Sequence, residues 1–228
     1  MILAALAVAL LAAAAYLLWR HFWFFRDPAR VAPAEPGLLS PADGTVVYVK
    51  RVAPGEDVIV IKRGVSATVR DLMHDDFAQS KLVIGIFMSP LDVHYNRAPL
   101  EGEIGFVRWH PGRGRNLSMT AMHVRSLLGL EPRYAGSLHI VQNERAVTQI
   151  HGDYAGAPLA CYVVQIGALT VSGIDSYFAP GTRVARGATF GMIRVGSQVD
   201  LIVPWRDTFD VHVKPGDRVV AGETILVR

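Results

Sequence analysis

The longest apolar run of the chain lies at its start. Residues 1–19 contain no charged side chain and consist mostly of alanine and leucine. As a helix rising about 1.5 Å per residue, this run is roughly 28 Å long, close to the roughly 30 Å hydrocarbon core of a bilayer. Aromatic rings favour the membrane–water boundary, and five follow closely, at Trp19, Phe22, Trp23, Phe24 and Phe25. The pattern predicts a transmembrane anchor with an aromatic interfacial segment over residues 1–26.

A cleaved signal peptide is the alternative interpretation of this segment. No lysine or arginine precedes the apolar run, and the small residues 12–15 lie inside it instead of after it, so the pattern favours a retained helix. Arg20, Arg26 and Arg30 all follow the run. The positive-inside rule therefore predicts that the rest of the chain lies on the cytoplasmic face of the cell membrane.

Beyond the anchor, the pattern changes to short β-branched runs. Residues 27–38 are rich in proline and predict a linker onto a domain at residues 39–228. Helical periodicity is weak, and its best candidate is the short segment 118–130. Runs bounded by glycine, proline or charge predict strands at residues 45–49, 58–61, 82–87, 138–141 and 160–166. The expected fold class is mainly β with minor α.

Two pairs of similar segments sharpen this expectation. Residues 180–187 and 215–222 both read Pro-Gly-x-Arg-Val-x-x-Gly, which predicts a tight turn, a strand and another turn. Residues 41–44 and 99–102 likewise share a Pro-x-acidic-Gly pattern before a β-type stretch. Such hairpin pieces resemble the flattened sandwich of biotinyl and lipoyl carrier domains. We therefore expect a β-sandwich or barrel-like body with lipoyl-like hairpin modules.

Charge and cysteine content narrow the classes of function. The formal net charge is +3, and the one basic cluster, residues 108–115, is short. A nucleic-acid interface needs a longer basic face, so we expect no nucleic-acid partner. The single cysteine, Cys161, lies in an apolar stretch, which rules out a disulfide within the chain and fits a reducing compartment. We expect no metal site.

Three motifs carry the candidate chemistry. They are Ser-Pro-Ala-Asp-Gly at residues 40–44, Ser-Pro-Leu-Asp-Val-His-Tyr-Asn-Arg-Ala-Pro at residues 89–99, and the pair Gly196-Ser197 between two apolar stretches. Together they resemble the phosphatidylserine decarboxylase family, most closely its short bacterial and archaeal form. The resemblance runs from about Phe24 to Arg228. Members of this family cut themselves at a Gly–Ser bond and turn the serine into a pyruvoyl group.

The resemblance implies self-cleavage between Gly196 and Ser197. A serine hydroxyl can attack the preceding carbonyl, and a glycine at that position leaves the approach open. The products would be a β chain, residues 1–196, and an α chain, residues 197–228, which form a heterodimer with a pyruvoyl cofactor at position 197. This group would form a Schiff base with the amine of phosphatidylserine in the membrane and yield phosphatidylethanolamine. A further oligomer stays open.

The resemblance also assigns roles to His94 and Asp43. Histidine titrates near neutral pH, so His94 is the candidate proton donor of decarboxylation. Asp43 matches an aspartate that orients the histidine activating the serine. The long form of the family has a second histidine where this chain has Arg97, and arginine cannot act as a base. Either His94 serves both steps, or His139 or His151 supplies the base for self-cleavage.

The sequence leaves the rest of the substrate site open. Residues 143–145, Asn-Glu-Arg, resemble a signature of the short form, and either Arg97 or Arg145 could hold the phosphate or carboxylate of the lipid. Archaetidylserine is an alternative substrate, because lipid tails leave little mark on a headgroup site. A non-catalytic lipoyl-like membrane adaptor is the alternative from another class. The absence of a sustained heptad pattern disfavours the adaptor.

Overall fold

The computed structural model describes residues 1–74, 78–169, 173–194 and 197–228. A π-helical turn at Trp19–Phe24 continues the first helix. The helices are α1 (Ile2–Leu18), α2 (Val69–Met73), α3 (Thr120–Leu127) and α4 (His139–Gln142). The strands are β1 (Leu38–Leu39), β2 (Gly44–Val52), β3 (Asp57–Lys62), β4 (Val65–Thr68), β5 (Lys81–Met88), β6 (Tyr95–Arg97), β7 (Gly102–His110), β8 (Arg145–Tyr154), β9 (Ala157–Gly167), β10 (Ile174–Ser176), β11 (Arg183–Val184), β12 (Thr189–Ile193), β13 (Ser197–Pro204), β14 (Arg218–Val219) and β15 (Ile225–Val227).

An antiparallel eight-stranded sheet organises the body, in the order β11-β7-β8-β9-β13-β5-β2-β14. Strand β13 is central and pairs with both β5 and β9, with Ser197 opposite Met88 on one side and Gly167 on the other. At this end of the sheet β7 also finishes, at His110, and β8 begins, at Arg145. We call it the Ser197 end of the sheet.

Both faces of the sheet are covered by apolar cores. Neighbouring side chains of a strand point to opposite faces, so β13 contributes to both cores. Val199 and Leu201 pack into one apolar core with residues of β1, β12 and β15. Ile202 packs into a second core with residues of β3, β4 and the helices α2, α3 and α4. The chain is mainly β with minor α, as the hydrophobic pattern predicted.

The repeated segments occupy equivalent places at the two edges of the sheet. Strand β11 follows the first Pro-Gly turn and pairs with β7, while β14 follows the second and pairs with β2. The other repeated pair supplies their partners, since Val184 lies opposite Gly102 and Val219 lies opposite Gly44. A Cβ atom would come within 2.1 Å of the His151 carbonyl oxygen at Gly102 and within 2.2 Å of the Phe87 carbonyl oxygen at Gly44. Close backbone approach explains both glycines.

One predicted strand is wrong. Residues 138–141 were expected to extend, but His139–Gln142 forms the one-turn helix α4. Strand β8 already fills the position between β7 and β9, so the segment has no strand partner there. Ile140 is instead buried in the second core, and packing overrides the β-branched propensity. The other four predicted strands and the helix at 118–130 correspond to β2, β3, β5, β9 and α3, with shifted ends.

The N-terminal helix is long and apolar enough to cross a membrane. It spans the 23 residues Ile2–Phe24, and an 18-residue window within it has a mean hydropathy of 2.4. Its last ring, Phe24, is fully buried against the body. The predicted linker also lies against the body, because Asp27 pairs with Arg97 at 2.5 Å and Arg30 pairs with Asp43 at 2.9 Å. We call residues 24–37 the juxtamembrane segment; the boundaries at residues 26 and 38 stay predictions.

Candidate active site

Ser197 is the first residue of the central strand β13 and is fully buried. Its hydroxyl donates to the Met88 Sδ atom at 3.2 Å. A thioether sulfur is a weak acceptor, so this contact leaves the hydroxyl available to a stronger base. Gly196, predicted to share the scissile bond, lies outside the described residues.

His94 is fully buried, and its two ring nitrogens differ in their contacts. Nδ1 lies 2.9 Å from the Asp92 carbonyl oxygen. A carbonyl only accepts, so the neutral ring carries its proton on Nδ1 and keeps a lone pair on Nε2. Nε2 is buried and has no hydrogen-bond partner within the part of the chain that the structure describes. Burial lowers the pKa of His94 to about 4, so the ring is neutral at pH 7 and is suited to accept a proton.

The fold holds His94 against the segment that leads to Ser197. The His94 carbonyl accepts from the backbone N–H of Ile193 at 3.2 Å. Directly after His94, strand β6 pairs with β12, with Tyr95 opposite Met192. On another side, the Phe24 ring lies 4.3 Å from the His94 ring, centroid to centroid. The end of the membrane helix therefore covers the imidazole.

Asp43 contacts the backbone beside His94, and in the described part of the chain it makes no hydrogen bond to the His94 ring. Its carboxylate accepts from the Ala221 backbone N–H at 2.7 Å, from Arg30 at 2.9 Å and from the Val93 backbone N–H. Burial raises the pKa of Asp43 although these donors oppose the shift. The contacts join the motif at residues 40–44 to the motif at residues 89–99.

Asp92 fixes the loop that presents its carbonyl oxygen to His94. Its carboxylate forms an ion pair with Arg218 and accepts from the Ser89 backbone N–H at 2.8 Å. Burial alone would raise the pKa of Asp92, but the bonds from Arg218 and Ser89 hold it below its usual value. The carboxylate is therefore ionised at neutral pH, and the loop is tied at both ends.

The other two candidate histidines lie elsewhere. His139 Nε2 is 3.1 Å from the Gln198 Oε1 atom. Gln198 follows Ser197 on β13, so its side chain points to the opposite face of the sheet. His151 is exposed and pairs with Ala160 of β9, seven residues from Gly167 and hence about 23 Å along the strand. Of the three candidate histidines, only His94 bonds to the described residues just before Ser197.

Two buried amides beside Ser197 were not predicted. Gln165 Nε2 donates to Asn96 Oδ1 at 2.8 Å, while Asn96 Nδ2 reaches the Pro41 carbonyl oxygen at 3.3 Å. Gln165 shares its face of the sheet with Ser197, because it lies opposite Val199 on β13. Its Oε1 atom is buried without a partner. The sequence does carry one signal for Gln165: its amide lies in the apolar run 160–166. A polar side chain buried in such a run needs a hydrogen-bond partner.

The opposite face of β13 carries a second polar network. Asp200 Oδ1 accepts from the Tyr48 hydroxyl at 2.9 Å and from Gln198 Nε2 at 2.7 Å. Asp200 Oδ2 is buried without a partner. Burial raises the pKa of Asp200 to about 6. This network anchors the residue that follows Ser197.

The structure separates the two candidate substrate arginines. Arg97 donates to Asp27 at 2.5 Å and to the Gly187 carbonyl at 3.2 Å, on the side of the juxtamembrane segment. Arg145 donates to the backbone carbonyls of Asp71 and Asn143, on the side of the second core. Burial lowers the pKa of Arg145 to about 10, so its guanidinium group is still charged at neutral pH.

Comparisons with known proteins agree with these motifs. A family model described as phosphatidylserine decarboxylase matches residues 17–227. The phosphatidylserine decarboxylase proenzyme of Symbiobacterium thermophilum is 35% identical over 90% of this chain and 77% of its own length. That of Chlorobium luteolum is 34% identical over 97% of this chain and 84% of its own length. A relative from Methanothermobacter thermautotrophicus, 33% identical over 90% of this chain and 78% of its own length, is named for archaetidylserine instead.

Proposed function

Because the chain belongs to the phosphatidylserine decarboxylase family, we propose that it is a membrane-bound carboxy-lyase that converts phosphatidylserine to phosphatidylethanolamine. The observation that carries this proposal is the His94 ring. Its Nε2 atom is buried, unprotonated in the neutral ring and without a hydrogen-bond partner among the described residues, on a segment bonded to Ile193, close before Ser197. A buried base without a partner is costly to the fold, and a nearby serine nucleophile is a reason to keep one.

In the first step, His94 Nε2 takes the proton of the Ser197 hydroxyl. The oxygen attacks the carbonyl carbon of Gly196, the C–N bond breaks, and the nitrogen of residue 197 gains a proton. Loss of the α-proton then expels the carboxylate of Gly196 and leaves a dehydroalanine. Water converts this to a pyruvoyl group and releases ammonia. The chain therefore supplies its own cofactor without an external reagent.

The residues present fit a pyruvoyl group at position 197. His94 Nε2 and Gln165 Oε1 are both buried on that side of the sheet, without partners among the described residues. A pyruvoyl group held there would supply a carbonyl for the substrate amine and a sink for the electron pair released with carbon dioxide. The carbon that loses carbon dioxide must gain a proton, and His94 donates it once Nε2 is protonated. A pKa of about 4 makes the protonated ring a strong donor.

Asp43 is proposed to act on His94 through the backbone. Its carboxylate holds the Val93 N–H next to His94, while Asp92 provides the carbonyl oxygen that orients the ring. Asp43 is thus a positioning residue in this proposal. In this proposal Asp43 still orients the histidine, but it acts on the backbone of Val93, the residue before His94, and not on the His94 ring.

We assign the lipid phosphate to Arg97 first and to Arg145 second. The ionic partner of Arg97 is Asp27, whose side chain is 37% exposed. A phosphate can therefore take the place of this carboxylate on Arg97. Arg97 and Arg145 each donate to two backbone carbonyls, so these bonds do not separate them. The ranking rests on the Asp27 carboxylate, a partner that another anion can replace.

The two chains are proposed to stay together after cleavage. Strand β13, which would open the α chain, lies between β5 and β9 of the β chain. Contacts from Arg218, Ala221 and Glu223 reach residues on the other side of the cut. Separation would therefore expose the centre of the sheet, and a heterodimer is expected. From the arginines that flank the anchor, we propose that this body lies on the cytoplasmic face of the cell membrane.

Intact mass and lipid product test this function together. Purified protein should contain two chains, the smaller covering residues 197–228 with a blocked N-terminus, and it should release carbon dioxide from phosphatidylserine. The Ser197→Ala variant lacks the nucleophile and should stay uncut and inactive. A wild-type chain that stays intact, or a Ser197→Ala variant that is cut, contradicts the proposal. Assaying archaetidylserine beside phosphatidylserine decides between the two lipids.

A further inference from the structure

Helix α3 exposes apolar side chains beside a face that is already packed. Met122 is buried in the second core. The opposite side of the helix and the turn after it expose four apolar side chains: Val124 (43%), Leu127 (76%), Leu128 (64%) and Leu130 (45%). Single exposed leucines are ordinary, but four within seven residues form a patch. We call these four residues the α3 ridge.

The α3 ridge lies at the same end of the body as the membrane helix. Helix α3 belongs to the connection between β7 and β8, which leaves and re-enters the sheet at its Ser197 end. The loop after β5 lies at this end too, and its Leu91 side chain is exposed. The Leu91 carbonyl oxygen accepts hydrogen bonds from the Trp23 side chain at 3.2 Å and from the Arg26 side chain at 2.7 Å. A cavity of about 220 Å³ lined by Pro90 and Thr120 joins that loop to α3. A continuous surface therefore connects the ridge to the end of the membrane helix.

The charge around the ridge suits an anionic surface. Residues 104–130 contain no aspartate or glutamate, and they include four arginines, at positions 108, 113, 115 and 125. Arg113 and Arg115 are exposed. Arg125 donates to the backbone carbonyls of Glu131 and Pro132 and so holds the turn that carries the last two leucines of the ridge. Basic side chains near a membrane are attracted to anionic headgroups.

We propose that the α3 ridge inserts into the interfacial layer of the bilayer that the N-terminal helix crosses, with Arg113 and Arg115 on anionic headgroups. A lipid surface is the occupant because the anchor keeps one within reach of this end of the body, and because residues 104–133, which carry the apolar patch, contain five arginines and one acidic side chain, Glu131. The inference goes beyond the proposed reaction and does not depend on it. It gives the body a second, reversible contact with the membrane beside the anchor.

The full chain allows a selective test with a dye. Cys161 is buried and burial raises the pKa of its thiol, so a cysteine introduced by Leu128→Cys can be labelled alone with a polarity-sensitive dye. Glu101→Cys is the matched control, at an exposed position before β7 and about 26 Å along that strand from His110. Both proteins are reconstituted into vesicles of phosphatidylcholine and phosphatidylglycerol that contain lipids brominated in their chains.

The dye at position 128 should lose most of its emission to the brominated lipids and resist quenching by aqueous iodide. The dye at position 101 should show the reverse. Combining Leu128→Cys with Arg113→Glu and Arg115→Glu should reduce the lipid quenching, as should vesicles of phosphatidylcholine alone. Equal iodide quenching at both positions overturns the proposal. Disulfide crosslinking of the Leu128→Cys protein to a second copy, without lipid quenching, also overturns it and assigns the ridge to a dimer.

Discussion

Removing the Phe24 ring should change the pH at which the chain can cut itself. Burial lowers the pKa of His94 to about 4, and the Phe24 ring covers the imidazole at 4.3 Å. Phe24→Ala lets water reach the ring, and the pKa of His94 should return toward the ordinary value of 6.5. A base must be neutral to act, so cleavage fails as pH falls through this pKa. The acid limit of self-cleavage should therefore move upward.

The size of the effect follows from the two pKa values. At about pH 5, a ring with a pKa of about 4 is roughly 90% neutral, while one with a pKa of 6.5 is only about 3% neutral. Cleavage of Phe24→Ala should thus be slower than wild type near pH 5, by about 30-fold if the pKa returns fully to 6.5, and nearly equal near pH 7.5. The measurement follows freshly translated precursor in vesicles, shifted to buffers of different pH and sampled on gels.

Phe22→Ala is the control for this experiment. Phe22 belongs to the same helical turn but is exposed, so its removal should leave the acid limit in place. If Phe24→Ala and wild type share one acid limit, burial by Phe24 does not set the pKa of the base. If neither rate depends on pH between about 4 and 7, a base with the titration of His94 is not used at all.

Three further outcomes are expected. His94→Ala should stay uncut on a gel and release no carbon dioxide, because the same ring serves both steps; full cleavage with full activity would remove His94 from either role. Deleting Met1–Arg20 should release the protein from membranes but spare cleavage, because Phe24 is retained, whereas deletion through Arg30 should slow it. Asp200→Asn removes a buried carboxylate whose raised pKa destabilises the folded state as pH rises from 3.8 through about 6. Urea unfolding should show the variant gaining up to about 2 kcal/mol more relative to wild type at pH 7 than at pH 4, and an equal difference at both would contradict this.

Local patterns predicted much of the fold. The anchor, the four correct strands and the repeated Pro-Gly turns each follow from contiguous residues, whose periodicity and turn chemistry act over a few positions. The segment 138–141 failed because its strand propensity had no partner to pair with, a fact set by where β8 lies. The repeated segments were recognised in the sequence, but the pairing of each Pro-Gly repeat with a Pro-x-acidic-Gly repeat at the sheet edges was not predicted.

The candidate site was only partly predictable, because many of its contacts join segments that are far apart in the sequence. Motif matching proposed Ser197, His94 and Asp43, and these roles stay predictions that the geometry supports. Contacts between distant segments left no local pattern. Phe24 on His94 and Gln165 on Asn96 each join residues about 70 positions apart. The pKa of His94 depends on such contacts, so neither its neutral state nor its free Nε2 atom could be derived from the motif alone.

The contacts of the juxtamembrane segment differ in exposure, and this bears on how a lipid could enter. The pair between Arg97 and Asp27 joins a buried guanidinium to a carboxylate whose side chain is 37% exposed, so another anion can replace this carboxylate from the solvent side. Burial of the Phe24 ring contributes about 2 kcal/mol or more. A phosphate can therefore displace Asp27 from Arg97 without moving Phe24 from His94. Under the proposed function, the lipid headgroup exchanges with a carboxylate at the edge of the site while the proton-transfer ring stays dry.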